Sequence, residues 1–121
     1  MIYDAMMASG LEISTVCTGM AGRMAAVLFP AGTPGKRYIP VHSRVMIHQP
    51  LISSGFGGSA TSIKNISENI LNTRDTVNGI ISRHTGKTLE EINDATVEDN
   101  YMDAYEAIRF GLCDEILHGL R

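Results

Sequence analysis

Two side chains in this sequence are of types that catalytic sites use, although neither is specific by itself. His48 ends an expected apolar strand over residues 44–48. A histidine delivered from a strand end could act as a catalytic base. Its other interpretation is a half-buried histidine whose ring nitrogens satisfy backbone groups. Asp99, in the stretch 96–100, is by default a solvated loop carboxylate or a turn residue.

The segment TGMAGRMAA, residues 18–26, has the backbone character of a nucleophile elbow. Small residues follow an expected strand and precede an expected helix, whose first N–H groups could stabilise an oxyanion. The central residue of such an elbow is serine or cysteine, but here it is Arg23. A guanidinium stays protonated and cannot act as the nucleophile. The other interpretation of Arg23 is a surface arginine at a helix start, which is a slightly poor place for a cation.

The remaining histidines and the cysteines do not suggest a second site. His42, His84 and His118 lack the spacing of metal ligands, so no metal site is expected. Cys17 and Cys113 have neither metal-type spacing nor the density of a disulfide framework. We interpret both as reduced thiols in a cytoplasmic protein, and no cofactor is expected.

Hydrophobic periodicity predicts the elements that must position these residues. Ile63, Ile66, Ile70, Val77 and Ile81 form one apolar stripe, which predicts a long helix over residues 61–84. Strands separated by helices predict an α/β fold in a single domain, residues 1–121. Strands are expected at 13–18, 37–41, 44–48 and 113–117, helices at 2–9, 21–29, 88–95 and from 103, and a glycine-rich flexible stretch at 52–59.

Composition excludes several classes of protein. The 121 residues are 44% hydrophobic and 19% charged, which is ordinary for a globular chain of one domain. A formal net charge of −3 offers no general attraction to nucleic acid or to an anionic membrane. No apolar run is long enough to span a bilayer, and the first residues lack the features of a signal peptide.

Several segments together are similar to the proteolytic subunit of the ATP-dependent Clp protease, and they run nearly end to end: IYDAM, STVCTGMAGRMAA, AGTPGKR, SRVMIHQPL, HTGKTLEEI and EDNYMDAYEAIRFGLCDEIL. This resemblance implies the crotonase-like fold and a serine peptidase site. It places the family's catalytic histidine at His48, its triad aspartate at Asp99 and its nucleophilic serine at Arg23. It also implies that the backbone N–H of Met24 belongs to the oxyanion hole.

The resemblance predicts a catalytically impaired subunit, because a bulky cation replaces the serine. Such a chain would be a structural or regulatory component of a ring. The alternative is an active ATP-dependent serine endopeptidase subunit that degrades unfolded proteins, with the serine supplied by a parent or partner chain. Another crotonase-fold activity, such as acyl-CoA chemistry, fits less well. Arg23 is expected either to pair with Asp99 or to fill the vacated pocket and hold His48 neutral.

The resemblance also implies partners. Relatives form two stacked rings of seven subunits, so copies of this chain or sibling subunits are expected partners, with a AAA+ ATPase unfoldase and polypeptide substrates. The residues that link the rings correspond to Lys64 and Glu98, where the charges are exchanged. The exchange could change ring pairing or be neutral drift on a solvated face. The family's N-terminal part is expected to be missing, which would leave apolar sheet surface exposed.

Overall fold

Short strands alternate with helices along the chain. The computed structural model describes residues 1–49 and 59–119, so the glycine-rich stretch expected at 52–59 lies outside the described residues except for Ser59. The helices are α1 Ile2–Ala8, α2 Met24–Leu28, α3 Ala60–Thr85, α4 Leu89–Ala95 and α5 Ala104–Phe110, and a 3₁₀ turn at Phe29–Ala31 follows α2. The strands are β1 Thr15–Val16, β2 Met20–Ala21, β3 Arg37–Pro40, β4 Arg44–Ile47, β5 Asn100–Asp103 and β6 Glu115–Leu117.

The strands form two small sheets, which confirms the α/β class. One sheet has the order β1-β3-β6, and all of its strands are parallel. The other has the order β2-β4-β5, in which β2 is parallel and β5 antiparallel to β4. Parallel strands need crossover connections, and the helices supply most of them. Both β1 and β2 are edge strands, and an open cleft of about 410 Å³ beside them is lined by residues of both.

Only Thr15–Val16 of the strand expected over residues 13–18 form a strand, and the next strand, β2, takes Ala21 from the start of the helix expected over residues 21–29. Gly19, with φ +77°, turns the chain at the corner between β1 and β2. Its carbonyl oxygen accepts the N–H of Arg44 at 2.8 Å, and its own N–H donates to Oγ of Ser43 at 3.0 Å. A second corner, over residues 41–43, joins β3 of one sheet to β4 of the other, and its Ser43 contacts Gly19. The chain therefore passes from one sheet to the other at two adjacent points.

The long helix agrees closely with its prediction, and its two halves have different surroundings. Ile81, near the C-terminal end of α3, is buried in the core. Ile63, Ile66 and Leu71, in the first half, are exposed. The apolar stripe therefore packs against the rest of the chain only towards its C-terminal end. No helix within the described ranges has the length and apolar content needed to cross a bilayer.

Capping boxes begin both α4 and α5. Thr88 accepts the backbone N–H of Glu91 at the start of α4, and the Glu91 side chain accepts the N–H of Thr88. Asp103 and Glu106 make the same reciprocal pair at the start of α5. Each box satisfies two N–H groups that a helix start otherwise leaves without acceptors.

One charged side chain is buried at the centre of the fold. Arg37 is only 7% exposed, and it donates from Nε and Nη2 to the Asp114 carboxylate at 2.9 and 2.7 Å. Its Nη1 donates to the carbonyl oxygens of Pro30, His84 and Gly111 at 3.0–3.1 Å. These hydrogen bonds from Arg37 hold the pKa of Asp114 below its usual value. One guanidinium thus joins β3 to segments beside α2, α3, α5 and β6.

The two cysteines are free and buried. Burial raises the pKa of the Cys113 thiol to about 12 and also raises that of Cys17. Both groups are therefore protonated and poor nucleophiles at neutral pH.

Candidate active site

The turn around Arg23 has the backbone of a nucleophile elbow. Arg23 has φ +53° and ψ −127°, and in the described ranges it is the one non-glycine residue with positive φ. The N–H of Ala25 donates to the carbonyl oxygen of Gly22 at 3.1 Å. These angles and this bond place Arg23 at the second position of a type II′ turn, where glycine dominates. A strained turn between a strand and a helix is the geometry that presents a nucleophile in α/β hydrolases.

Strand pairing brings this elbow beside His48. β2 runs parallel to β4 with Met20 opposite Arg44 and Ala21 opposite Val45. The elbow follows the C-terminal end of β2, and His48 follows the C-terminal end of β4. Because adjacent parallel strands end at the same edge of a sheet, both side chains lie at that edge.

Arg23 and His48 line the same cavity, which has a volume of about 200 Å³. Its walls come from α2, β4 and the C-terminal half of α3, and they are almost entirely apolar. Its lining residues are Arg23, Met24, Ala26, Val27, Met46, Ile47, His48, Thr73, Val77 and Ile81. No aspartate or glutamate is among them, so Arg23 is the permanent charge of the cavity.

The ring of His48 is oriented by its own neighbour. Its Nδ1 lies 2.5 Å from the carbonyl oxygen of Gln49. A carbonyl oxygen can only accept, so Nδ1 carries a proton, and in the neutral ring the lone pair is on Nε2. This is the tautomer that a general base requires. Here a backbone carbonyl, and not Asp99, sets it.

Asp99 makes no described contact with the other two predicted triad members, although its backbone is close to that of His48: Asn100, the next residue, pairs with Ile47, the residue before His48. Asp99 lines a separate cleft of about 330 Å³ together with Asp94 and Glu98. Among residues 1–49 and 59–119, no hydrogen bond or ion pair joins Asp99 to His48 or to Arg23. The structure therefore places Arg23 and His48 at one cavity, while strand pairing brings the backbone of Asp99 near His48 with its side chain at a different cleft. The expected pairing of Arg23 with Asp99 is absent from the described contacts, and the triad role of Asp99 stays a prediction.

A buried amide that the sequence interpretation missed connects the segments of His48 and Asp99. The side chain of Asn78 in α3 is fully buried, and its Nδ2 donates to Oδ1 of Asn93 at 2.8 Å and to Oγ1 of Thr96 at 3.2 Å. The N–H of Gln49 donates to the carbonyl oxygen of Thr96 at 2.9 Å. The available signal was an asparagine adjoining the apolar stripe of α3, a position where a polar side chain needs buried partners.

The predicted roles of Met24, Lys64 and Glu98 are not tested by any described contact. Met24 is the first residue of α2, so its N–H has no acceptor within the helix and its oxyanion role stays a prediction. Lys64 is highly exposed and lies 3.9 Å from Glu68, while Glu98 is exposed beside Asp99. Within the ranges that the structure covers, no group of three or more histidine, cysteine or acidic side chains is placed to hold a metal ion.

The strain at residue 23 has a measurable consequence. We expect Arg23→Gly to have a free energy of unfolding about 1–2 kcal/mol higher than Arg23→Ala, because only glycine adopts positive φ without a steric penalty. Urea unfolding of the two variants measures the difference. At Arg74, inside α3, the same pair should differ by about 1 kcal/mol in the opposite direction. Equal stability of the two variants at residue 23 would contradict a strained elbow.

Comparison with known proteins gives the chain a family. The model of the family described as Clp protease matches residues 1–119. The chain is 45% identical over 116 residues to the ATP-dependent Clp protease proteolytic subunit of Porphyromonas gingivalis (strain ATCC BAA-308 / W83). That match covers 96% of this chain and 51% of the relative, so the chain spans about half of the relative's length. On this similarity, and with a mixed α/β fold consistent with it, the chain belongs to the Clp protease family.

Proposed function

We propose that this chain is a catalytically impaired proteolytic subunit of the Clp type, which serves as a structural or regulatory component of a ring. The observation that carries the proposal is the side chain at the elbow. The strained turn and the neighbouring His48 cavity are both present, yet the turn presents a guanidinium in place of a hydroxyl.

The chemistry of the cavity supports impaired catalysis. A guanidinium has no lone pair with which to attack a carbonyl carbon, and loss of a triad nucleophile costs several orders of magnitude in rate. The proposed orienting carboxylate of Asp99 makes no hydrogen bond to His48 in the described part of the chain. Hydrolysis by this chain alone would therefore lack both the nucleophilic hydroxyl and a carboxylate bonded to His48.

Exposed apolar surface supports a role in assembly. The first half of α3 exposes Ile63, Ile66 and Leu71, and an apolar helix face of this kind is typical of a protein–protein contact. We propose copies of this chain or sibling proteolytic subunits in stacked heptameric rings as partners, with Lys64 and Glu98 among the ring contacts. A AAA+ ATPase unfoldase, polypeptide substrates and a cytoplasmic location belong to the same proposal.

The second candidate function is an active serine endopeptidase subunit whose serine comes from a parent or partner chain. One observation favours it. The elbow keeps its strained backbone, and Nε2 of His48 is free to accept a proton in the cavity that the elbow faces. A site that had lost all catalytic constraint would not need either feature.

A labelling experiment separates the two functions. The purified chain is incubated with a fluorophosphonate probe and a fluorogenic peptide, alone and mixed with a serine-bearing member of the family, and native mass spectrometry follows assembly. We expect mixed rings in which only the relative is labelled, because residue 23 offers no hydroxyl. A chain that joins no ring, or that hydrolyses the peptide by itself and carries the label, would contradict the proposed function.

A further inference from the structure

The cavity beside Arg23 has the composition of a binding site for an anion that carries one apolar group. We propose that it binds the C-terminal carboxylate of a polypeptide whose last residue is apolar. The inference rests on the proposed function, since it assigns a binding role to an elbow that no longer presents a nucleophile.

The size of the cavity fits one side chain. A dry apolar cavity of about 150 Å³ is large enough to hold benzene. The cavity here is about 200 Å³, with walls that include Val27, Ile47, Val77 and Ile81. It therefore has room for one leucine or phenylalanine side chain, and burial of such a group is favourable by about 25 cal/mol per Å² of apolar surface.

The charge of the cavity selects the other end of the ligand. Arg23 makes no ion pair or side-chain hydrogen bond within residues 1–49 and 59–119, so its donors are available. A guanidinium is planar and binds carboxylates through two parallel hydrogen bonds. No lining residue carries a negative charge that would compete with a bound carboxylate.

These two features together favour a chain end over an internal peptide segment. An internal amide carries no charge, so it would receive only the weaker hydrogen bonds of a neutral acceptor from the exposed Arg23 guanidinium. An apolar C-terminal residue supplies both the side chain and the carboxylate on adjacent atoms. Peptide products cut after an apolar residue have this chemistry. A short fatty acid shares the carboxylate but lacks the peptide backbone, so it serves as a comparison.

Fluorescence anisotropy with the full chain tests the proposal. The probe is a pentapeptide labelled at its N-terminus and ending in leucine, prepared as the free acid and as the amide. We expect the acid to bind about tenfold more tightly than the amide, because a hydrogen bond to a charged group exceeds one to a neutral group by about that factor. The preference should shrink at high salt. It should disappear in Arg23→Gln and persist in Arg109→Gln, a change at an exposed arginine outside the cavity.

Three outcomes would overturn the proposal. They are equal binding of acid and amide, an acid preference that survives Arg23→Gln, and competition by hexanoate as strong as competition by the unlabelled peptide acid. Circular dichroism of each variant verifies that it is folded. Anisotropy measures binding and requires no catalytic turnover, so its result is independent of the labelling experiment. Labelling of residue 23 would refute the proposed function, whereas loss of the acid preference would refute only this site.

Discussion

Replacing Arg23 by serine is expected to convert an unreactive chain into one that a fluorophosphonate labels slowly at residue 23. The elbow would present the serine Oγ to the cavity that His48 lines, and Nε2 of His48 can accept its proton. The reaction should be about 10⁴-fold slower than that of a complete triad, since loss of the function of the triad aspartate costs about that factor. Asp99 makes no bond to His48 among the described contacts.

Intact-mass spectrometry over time measures this rate. The matched control is the double variant Arg23→Ser with His48→Ala, which keeps the hydroxyl and removes the base, and it should lose the slow labelling. Equal labelling of the single and double variants would show that His48 is not the base. Labelling of Arg23→Ser at the full rate of an active relative would contradict the absence of a hydrogen bond between Asp99 and His48.

Replacing Arg37 by methionine is expected to lower the free energy of unfolding by about 3–5 kcal/mol. The methionine would fill much of the volume but would leave three carbonyl oxygens without this donor and the Asp114 carboxylate with only the backbone N–H groups of residues 35 and 37. Groups left buried without partners lose the full cost of their desolvation. Urea unfolding measures the loss. Because native domains are stable by only about 5–15 kcal/mol, the variant should also unfold at much lower temperature.

Two further variants make the Arg37 prediction sharper. Arg37→Lys keeps the charge but not the planar fork, so its loss should lie between that of methionine and zero. Arg74→Met removes the exposed pair of Arg74 and Asp75, and it should cost less than about 1 kcal/mol. If Arg37→Met lowers the free energy of unfolding no more than Arg74→Met does, the buried network stabilises the fold no more than the exposed pair, which would contradict the prediction.

The same network predicts how stability depends on pH. Hydrogen bonds from Arg37 lower the pKa of Asp114 from 3.8, its ordinary value. A carboxyl whose pKa is lower in the folded state stabilises the fold above its unfolded pKa, and the benefit is lost as the pH falls through the folded value. The Arg37 variants should therefore lose less stability below about pH 4 than the parent chain does.

Much of the fold could be predicted because its signals are local. The stripe of α3, the Thr88 and Asp103 caps and the turn at Gly86 depend on residues within a few positions of one another. β5 could not be predicted in the same way. It has four residues, of which only Met102 is buried, and it exists because it pairs with β4. A short edge strand takes its stability from a distant partner, so its own sequence carries little signal.

The candidate site was predictable to the extent that it depends on parallel strand ends. The elbow at Arg23 and the histidine at His48 follow two strands that pair, and the structure places both at one cavity. The position of Asp99 depends on tertiary contacts of the loop between α4 and β5, which include the bonds of Asn78 to Asn93 and Thr96. No short-range pattern specifies such contacts, so the missing hydrogen bond between Asp99 and His48 could not be derived from spacing.

The strained turn has one more consequence, which concerns what can be placed in it. Its hydrogen bonds join backbone atoms, from Ala25 to Gly22 and from Ala26 to Arg23, and none involves the side chain of residue 23. The pairing of β2 with β4 holds the other end. The conformation is thus imposed by neighbours, and it persists even with a long side chain that disfavours it. The backbone at position 23 therefore does not depend on which side chain it carries. A cysteine, a spectroscopic reporter or a synthetic amino acid introduced there would be held towards the same apolar cavity.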